Sequence, residues 1–506
     1  MPISDPGKSR TLASFTVLLL VASVQGCSSM PLEPWHTEEL TEEYTRDKAD
    51  QIQSLDDYLQ LEERLFRQQD ELIYAKTGTG PGEVLNRYSS GSNADPRKYE
   101  TNLNRSFELV SEKPRGGVLL LHGMSDSPYV LRSLGKKLHQ QGYWVVGMRM
   151  PGHGTIPSGL RYISHRDMTS AVRIGMKHLQ KQLNGKPVHM IGYSNGATLA
   201  IEFTLDSLEG NGATVPASLV LISPALGIHP AAGMAHFLDS MSFLPGLDSW
   251  SYTEISAEFD PFKYNSFATN AADVVYSLTR SVSRRVKQRA KTKPGIVLPP
   301  VLVFKSTVDA TVTTDAVIDN LLDYLEPERH ELVLFDINRH AAVTSKMLIE
   351  DPAPFTNRIL NATDKPFAVT LVTNEDEESI QTVAKYFAPF ATQPEQIRKL
   401  EIAWPPGIIS LSHVALPIAP DDPVYGQFHP QKEGFIFLGK VAIQGERGLL
   451  KVPTDWLLRL RYNPFYDYLE SRTLDWVNEH SGVGPAQATD LIEDSDQKNI
   501  WGQSKN

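Results

Sequence analysis

The chain has 506 residues, of which 41% are hydrophobic and 22% charged, so it can bury a sizeable core and is not disordered as a whole. Its 49 basic and 60 acidic residues give a formal net charge of −11. This balance argues against a nucleic-acid-binding protein, because such proteins usually carry a basic surface. The only cysteine, Cys27, excludes an intramolecular disulfide and a metal cluster held by several thiolates.

The N-terminal 27 residues are predicted to be a secretory signal. Lys8 and Arg10 precede a mostly apolar stretch, residues 12–24, which is shorter than the roughly 20 residues that a membrane-spanning helix needs. Residues 24–27 (VQGC) resemble the lipobox of bacterial lipoproteins, in which the cysteine is lipidated. The resemblance implies a lipid anchor on Cys27 at the bacterial cell envelope, and the lack of a following aspartate implies the outer membrane. An ordinary secretory peptide with an incidental cysteine is the alternative.

Residues 28–103 are predicted to be a polar N-terminal segment of helix and loop. Apolar residues at helical spacing indicate one amphipathic helix over about 53–75, which we expect to pack on the main domain. Residues 76–98 are rich in Gly, Ser, Asn and Pro, a composition typical of a loop.

Residues 104–475 are predicted to form the main domain. Short apolar segments alternate with helical patterns there, which predicts an α/β fold with a mostly parallel sheet and helices on both faces. The predicted strands cover residues 107–111, 117–121, 144–148, 188–191, 219–223, 301–304, 331–335, 367–373 and 407–411. The predicted helices cover residues 129–141, 166–183, 195–207, 314–325 and about 377–388.

Two parts of the chain depart from this alternation. Residues of about 227–298 are predicted to be an inserted helical cap, which ends in a helix with a basic, solvated face. Residues 476–506 are polar and are predicted to be a disordered C-terminal tail.

Residues 192–196 read GYSNG and lie between a predicted strand and a predicted helix. A G-x-S-x-G sequence in this setting is typical of a serine exposed on a sharp strand-to-helix turn. The glycines allow the strand and the helix to approach closely, and the helix N-terminus favours developing negative charge. We therefore predict that Ser194 is a catalytic nucleophile.

Two further loops follow predicted strands. The strand over residues 117–121 runs into His122 and Gly123, the position at which an α/β-hydrolase builds part of its oxyanion hole. The backbone amides of Met124 and Asn195 are therefore the predicted oxyanion donors. Residues 151–154 (PGHG) resemble a loop of bacterial esterases and monoacylglycerol lipases. We expect His122, and likewise the histidine of that loop, to brace its loop.

Together these motifs show a resemblance over residues 117–340 to the serine-hydrolase branch of the α/β-hydrolase fold, near the monoacylglycerol lipase and serine aminopeptidase group. The resemblance implies a catalytic triad in the chain order Ser, Asp, His, with no metal or organic cofactor. Asp309 follows the predicted strand 301–304 after a short turn, where this family carries the triad acid. Asp315 and Asp319, inside the next predicted helix, are the alternatives.

Two histidines compete for the role of the general base. His340 follows Asp309 at a spacing common in this fold, but with 14 histidines in the chain the spacing alone is weak evidence. His413 follows an apolar segment and precedes a proline-rich stretch that would hold its imidazole firmly. Residues 410–417 (SLSHVALP) also resemble a group of bacterial lipoprotein-like hydrolases, which extends the resemblance to about residue 470. We predict His413 as the base, with His340 as the alternative.

The sequence therefore predicts a serine hydrolase that cleaves small-molecule carboxylic esters through an acyl-enzyme. Apolar residues of the cap would line a pocket for acyl chains of modest length. A peptidase or amidase of the serine aminopeptidase type is the first alternative, since such enzymes share the scaffold. A catalytically inactive, envelope-anchored binding protein with a hydrolase fold is the second. Substrate identity and oligomeric state stay open at this point.

Overall fold

A computed structural model describes residues 31–210, 214–227, 251–292, 295, 297–341, 348–349, 351–428, 433–439, 444–446, 449–451 and 458–482. The predicted signal with Cys27, the first part of the predicted cap and most of the predicted tail lie outside these residues. Within the described ranges, no helix is both long enough and apolar enough to cross a membrane.

The main domain is organised around one large sheet. The described strands are β1 Phe107–Leu109, β2 Gly117–Leu121, β3 Trp144–Met148, β4 Val188–Tyr193, β5 Leu219–Ile222, β6 Tyr252–Glu254, β7 Phe267–Ala268, β8 Val301–Ser306, β9 His330–Phe335, β10 Ala368–Asn374, β11 Gln381–Phe387, β12 Gln396–Ala403, β13 Gln444–Gly445 and β14 Leu458–Arg459. Ten of them pair in the order β1-β3-β2-β4-β5-β8-β9-β10-β11-β12. Neighbours from β3 to β10 are parallel, whereas β1, β11 and β12 join the two edges in antiparallel pairs.

Helices cover both faces of this sheet. The described helices are α1 Pro34–Thr37, α2 Leu55–Leu72, α3 Arg132–Gln140, α4 His165–Leu183, α5 Asn195–Leu208, α6 Thr269–Thr292, α7 Thr314–Asn320, α8 Ala353–Asn361 and α9 Tyr466–Glu479. Successive side chains of β2 point to opposite faces. Leu119 and Leu121 join a core with α4, α5 and α6, while Val118 and Leu120 join a core with α3 and α9. Burial on both faces explains why the central strands are mostly apolar along their length. The fold is that of an α/β-hydrolase, as predicted.

The N-terminal segment packs against the domain through α2. Ser54 caps this helix by accepting from the amide of Asp57, whose carboxylate accepts from the amide of Ser54 in return. Tyr58 is buried and its hydroxyl donates to the carbonyl of Arg149 at 2.8 Å. Arg149 is itself fully buried and forms ion pairs with Glu43 and Glu62. The segment is therefore held to the hydrolase domain by both apolar and ionic contacts.

The described part of the predicted cap, residues 251–292, contains the β6–β7 hairpin and α6. Val274, Leu278 and Val282 of α6 are buried in the core that also contains α5. The basic face of α6 is largely solvated, and Arg285 pairs with the acidic side chains on α5 and at its end. This half of the insertion is therefore part of the main core.

Three predictions for the C-terminal third were wrong. Residues 381–387 form strand β11 and not a helix, because pairing with β10 and β12 in one sheet overrides an ambiguous local pattern. Residues 407–411 are a partly buried loop with a single bridge from Ile408 to Gln444, and not a strand. Helix α9 continues to Glu479, beyond the predicted domain end at residue 475, because Trp476 and Val477 are buried in the core.

Buried histidines predict how the stability of the fold depends on pH. Burial lowers the pKa of His189 and His330 to about 3, and that of His36 to about 4. In the unfolded chain these rings titrate near 6.5. Below pH 6.5 the unfolded chain therefore binds protons that the folded protein does not, so the free energy of unfolding is highest above pH 6.5 and decreases as the pH falls toward 3. One such ring costs about 2 kcal/mol of unfolding free energy at pH 5.

We therefore expect the urea midpoint to be clearly lower at pH 5.0 than at pH 7.5, and His189→Gln to reduce that difference. Equal midpoints of the wild-type protein at the two pH values would contradict this prediction.

Candidate active site

Ser194 occupies a sharp turn between β4 and α5. Its backbone has φ 52° and ψ −116°, a conformation that a residue with a side chain rarely adopts. The turn is held by hydrogen bonds on both sides, because the Ser194 amide donates to the carbonyl of Ile222 at 2.8 Å and its carbonyl accepts from the amide of Ala225 at 3.2 Å. A strained residue fixed by its neighbours is a feature of functional sites.

The two glycines that flank this turn are required by close backbone contacts. A Cβ atom on Gly196 would lie 2.1 Å from the carbonyl oxygen of Leu121 in β2. A Cβ atom on Gly192 would lie 2.4 Å from the Cα atom of Ala197. Any side chain at either position would push strand and helix apart and displace Ser194.

The structure brings Ser194 together with His413 and Asp309. Nε2 of His413 lies 3.1 Å from Oγ of Ser194, and Nδ1 of His413 lies 2.8 Å from Oδ2 of Asp309. His413 and Asp309 are buried, whereas Ser194 is half-buried. The three side chains thus form a continuous relay from a serine hydroxyl through an imidazole to a carboxylate, with distances suited to proton transfer.

The alternative base, His340, and the alternative acid Asp315 lie away from Ser194. His340 is exposed, and its Nδ1 is 3.3 Å from the carbonyl oxygen of Glu377. Asp315 forms a surface ion pair with Arg358. Across the described residues, neither His340 nor Asp315 has a hydrogen bond to Ser194 or His413.

The carboxylate of Asp309 accepts hydrogen bonds on both oxygens. Oδ1 accepts from the amides of Thr311 at 2.9 Å and Val312 at 3.0 Å. Oδ2 contacts His413 and also the hydroxyl of Ser223 and the ammonium of Lys305. Burial by itself would raise the pKa of Asp309, but His413 and Lys305 outweigh it and hold the pKa well below its usual value. The acid of the site is therefore ionised at neutral pH.

A second carboxylate anchors the backbone of the histidine. Oε2 of Glu446, a buried residue, accepts from the amide of His413 at 2.9 Å. Nη2 of Arg459 donates to the same oxygen at 3.2 Å and to the hydroxyl of Thr311 at 2.9 Å. Glu446 and Arg459 thereby connect the loop that carries His413 to the loop that carries Asp309. Sequence reasoning missed both residues, because no motif marks them.

The predicted oxyanion donors are the amides of Asn195, which directly follows the nucleophile, and of Met124, in the loop after β2. Asn195 opens α5, where the positive end of the helix dipole favours negative charge. Met124 is buried in the loop after β2. Within the described ranges, no acceptor is found for the backbone amide of Met124 or of Asn195. Both amides can therefore donate to a substrate oxygen.

His122 braces the loop that carries Met124. Its Nε2 accepts from the amide of Met150 at 2.9 Å, so its Nδ1 carries the hydrogen and donates to the carbonyl of Gly123, also at 2.9 Å. Burial lowers the pKa of His122 to about 3, and the same is true of its neighbour His153. Both rings are neutral at physiological pH and support the loop, as the sequence predicts.

The parallel sheet and the serine on its strand-to-helix turn define the class of the protein, an α/β-hydrolase. Among the residues that the structure describes, no group of three or more His, Cys, Asp or Glu side chains is arranged to hold a metal ion.

Comparison with known proteins agrees with this class. Residues 112–346 match the family model described as serine aminopeptidase, S33. A thermostable monoacylglycerol lipase of Bacillus sp. (strain H-257) is 25% identical over 214 residues, which are 42% of this chain and 77% of that protein. This part of the chain is therefore similar to serine hydrolases of the α/β-hydrolase fold. The matched family segment contains Ser194 and Asp309 but ends before His413.

The chain is also similar to solved structures. One belongs to the work on LipS and LipT, two metagenome-derived lipolytic enzymes, with 20% identity, coverage of 46% of this chain and 87% of that chain, and a TM-score of 0.36. Another is the monoacylglycerol lipase of Paleococcus ferrophilus, with 18% identity, coverage of 46% and 88%, and a TM-score of 0.34.

Proposed function

We propose that the protein is a serine hydrolase that cleaves carboxylic esters, with Ser194 as nucleophile, His413 as general base and Asp309 as the acid that orients the base. The observation that carries this proposal is the contact of Ser194 Oγ with His413 Nε2 at 3.1 Å, backed by the buried carboxylate of Asp309. A serine hydroxyl is a weak nucleophile by itself and needs such a base to react.

The geometry supports the following course of reaction. Ser194 Oγ attacks the carbonyl carbon of the ester while its proton passes to Nε2 of His413. The negative charge that develops on the carbonyl oxygen is stabilised by the amides of Met124 and Asn195, each donor contributing roughly 3–4 kcal/mol in the transition state. His413 then protonates the departing alkoxide, which leaves as an alcohol, and an acyl-serine remains. A water molecule, deprotonated by His413, then attacks the acyl-serine. His413 returns this proton to the departing Ser194 Oγ, which releases the carboxylic acid and regenerates free Ser194.

Ester cleavage is favoured over aminopeptidase activity by the charges beside the oxyanion loop. An aminopeptidase has to hold the ammonium group of its substrate, which calls for an available carboxylate. Asp126 follows this loop, but its carboxylate is paired with the ammonium of Lys263 at 2.8 Å. The name of the matched relative, a monoacylglycerol lipase, points in the same direction.

The test compares two substrate classes on the purified mature protein. We expect hydrolysis of p-nitrophenyl esters of short to medium acyl chains, little or no hydrolysis of aminoacyl-naphthylamides, and covalent labelling by a fluorophosphonate probe, which reacts only with an activated serine. Faster cleavage of the naphthylamides would favour a peptidase. Absence of both activities and of labelling would leave an inactive binding protein.

The predicted lipid anchor is a separate proposal. Lipidation of Cys27 would place this activity on the bacterial cell envelope, with the outer membrane as the proposed location, and the VQGC sequence is its support.

A further inference from the structure

A lysine is buried beside the acid of the candidate triad. Lys305 lies on β8, and its side chain has no exposed surface. Its ammonium contacts Oδ2 of Asp309, the hydroxyl oxygen of Ser223 at 3.1 Å and the carbonyl oxygen of Val312 at 2.6 Å. Taking an ammonium out of water costs several kcal/mol unless it is paired and fully hydrogen-bonded. Its three contacts meet that requirement.

The hydrogen-bond pattern shows that Lys305 carries its charge. The carboxylate of Asp309 and the carbonyl of Val312 can only accept. The hydroxyl of Ser223 donates to Asp309, so its oxygen accepts from Lys305. Three acceptors match the three hydrogens of an ammonium, whereas a neutral amine has only two. Burial lowers the pKa of Lys305, and the adjacent Asp309 carboxylate opposes that shift.

The ammonium acts on the reacting groups through Asp309 and Ser223. Lys305 and His413 share two contacts, Oδ2 of Asp309 and the hydroxyl oxygen of Ser223, which is also 3.1 Å from Nδ1 of His413. A change at Lys305 therefore reaches the imidazole through these two side chains. Without the ammonium, the ionised form of Asp309 would lose one of the groups that stabilise it against burial, and the carboxyl would keep its proton to a higher pH.

Other groups also face this cluster. Glu446 acts electrostatically on Lys305 and accepts from the amide of His413, and Arg459 is paired with Glu446. The hydroxyl of Tyr193 is 3.3 Å from the carbonyl oxygen of His413. The hydrogen bonds among these groups do not involve the Lys305 ammonium, so we expect them to be kept when Lys305 is replaced.

We propose that Lys305 is a positioning residue of the active site, whose buried ammonium keeps the carboxylate of Asp309 ionised and aimed at His413, so that the site works in more acidic solution than it otherwise would. The inference rests on the proposed function, because it assigns Lys305 a part in activating Ser194. It goes beyond the triad, since Lys305 touches neither the nucleophile nor the oxyanion donors.

The test is the pH dependence of fluorophosphonate labelling at Ser194 in Lys305→Met. We expect the acidic limb of the labelling rate to move to higher pH by about one unit or more, because Asp309 loses the ammonium that opposes its protonation. A limb at the wild-type position in the folded variant would overturn the proposal.

Lys365→Met is the matched control. Lys365 is also buried, but its ammonium contacts the backbone carbonyls of Ala362 and Ala391, away from the triad. Loss of this lysine should lower stability without moving the limb. An equal shift in both variants would mean that Lys305 has only a structural role.

A second variant and a second readout cover the remaining outcomes. Lys305→Gln keeps side-chain donors without the charge, so it should shift the limb in the same direction if Lys305→Met does not fold. The second readout is the downfield NMR resonance of the proton between His413 and Asp309, which can be observed without substrate turnover. On acidification, this resonance should disappear at a higher pH in the folded variant than in the wild-type protein.

If neither variant folds, the wild-type resonance decides: persistence below about pH 4, the ordinary range for aspartate, supports the proposal and loss above it overturns it. Absence of labelling in the wild-type protein at every pH would refute the proposed function, and the same resonance would still test Lys305.

Discussion

Ser194→Ala should lower kcat for ester hydrolysis by about 10⁴-fold or more and abolish labelling by the fluorophosphonate probe. The hydroxyl is the group that forms the acyl-enzyme, and alanine leaves nothing to attack the carbonyl carbon. The one described hydrogen bond of the Ser194 hydroxyl is to Nε2 of His413, so the substitution removes the nucleophile and should leave the fold intact. Circular dichroism and urea midpoints should therefore match those of the wild-type protein.

Ser207→Ala is the matched control for this substitution. Ser207 lies on α5, the helix that follows Ser194. It is buried, and its hydroxyl donates to the carbonyl of Phe203 at 2.9 Å. We expect it to keep activity and labelling. If Ser194→Ala were labelled as fast as the wild-type protein, Ser194 would not be the nucleophile and the assignment of the site would fail.

His413→Ala should reduce ester hydrolysis by about 10³–10⁴-fold or more, whereas His340→Ala should stay within roughly twofold of the wild-type protein. His413 is in hydrogen-bond contact with both Ser194 and Asp309, and removing it leaves the hydroxyl without a base. His340 is exposed and contacts a backbone carbonyl. The measurement is kcat/KM on one p-nitrophenyl ester, after thermal unfolding has shown that both variants fold.

The paired design makes this experiment decisive. A large loss in His340→Ala with activity retained in His413→Ala would contradict the base assigned from the structure. A large loss of activity in both variants would indicate that the loop near residue 340 supports the site. The activity of His413→Ala at pH 9 would then be compared with its activity at pH 7, to test whether hydroxide can replace the base.

Much of the candidate site can be predicted from local sequence motifs. The turn around Ser194 is readable from the sequence because its chemistry, its two glycines and its flanking strand and helix lie within a few neighbouring residues. Asp309 is readable for a similar reason, since it follows a buried strand by one short turn. In both cases the sequence specifies the backbone geometry and the reacting side chain together.

The position of the histidine is less local. His413 is brought to Ser194 only after the chain has passed through β10, β11 and β12, and β11 was itself predicted as a helix. Its loop is buried and has little regular secondary structure, so hydrophobic periodicity says little about it. The sequence predicted His413 from its proline-rich context and a family resemblance and left His340 open as the alternative. The contact with Ser194 comes from the three-dimensional arrangement.

By itself, the sequence determined the α/β class and predicted the serine on its strand-to-helix turn and Asp309 as the acid, because each depends on residues close together in the chain. Only the tertiary structure revealed the buried ammonium of Lys305 next to Asp309 and the hold of Glu446 on His413. These contacts join segments that are far apart in sequence or belong to no motif. Side-chain burial and charge pairing decide them, and both depend on how the whole sheet and its C-terminal extension pack.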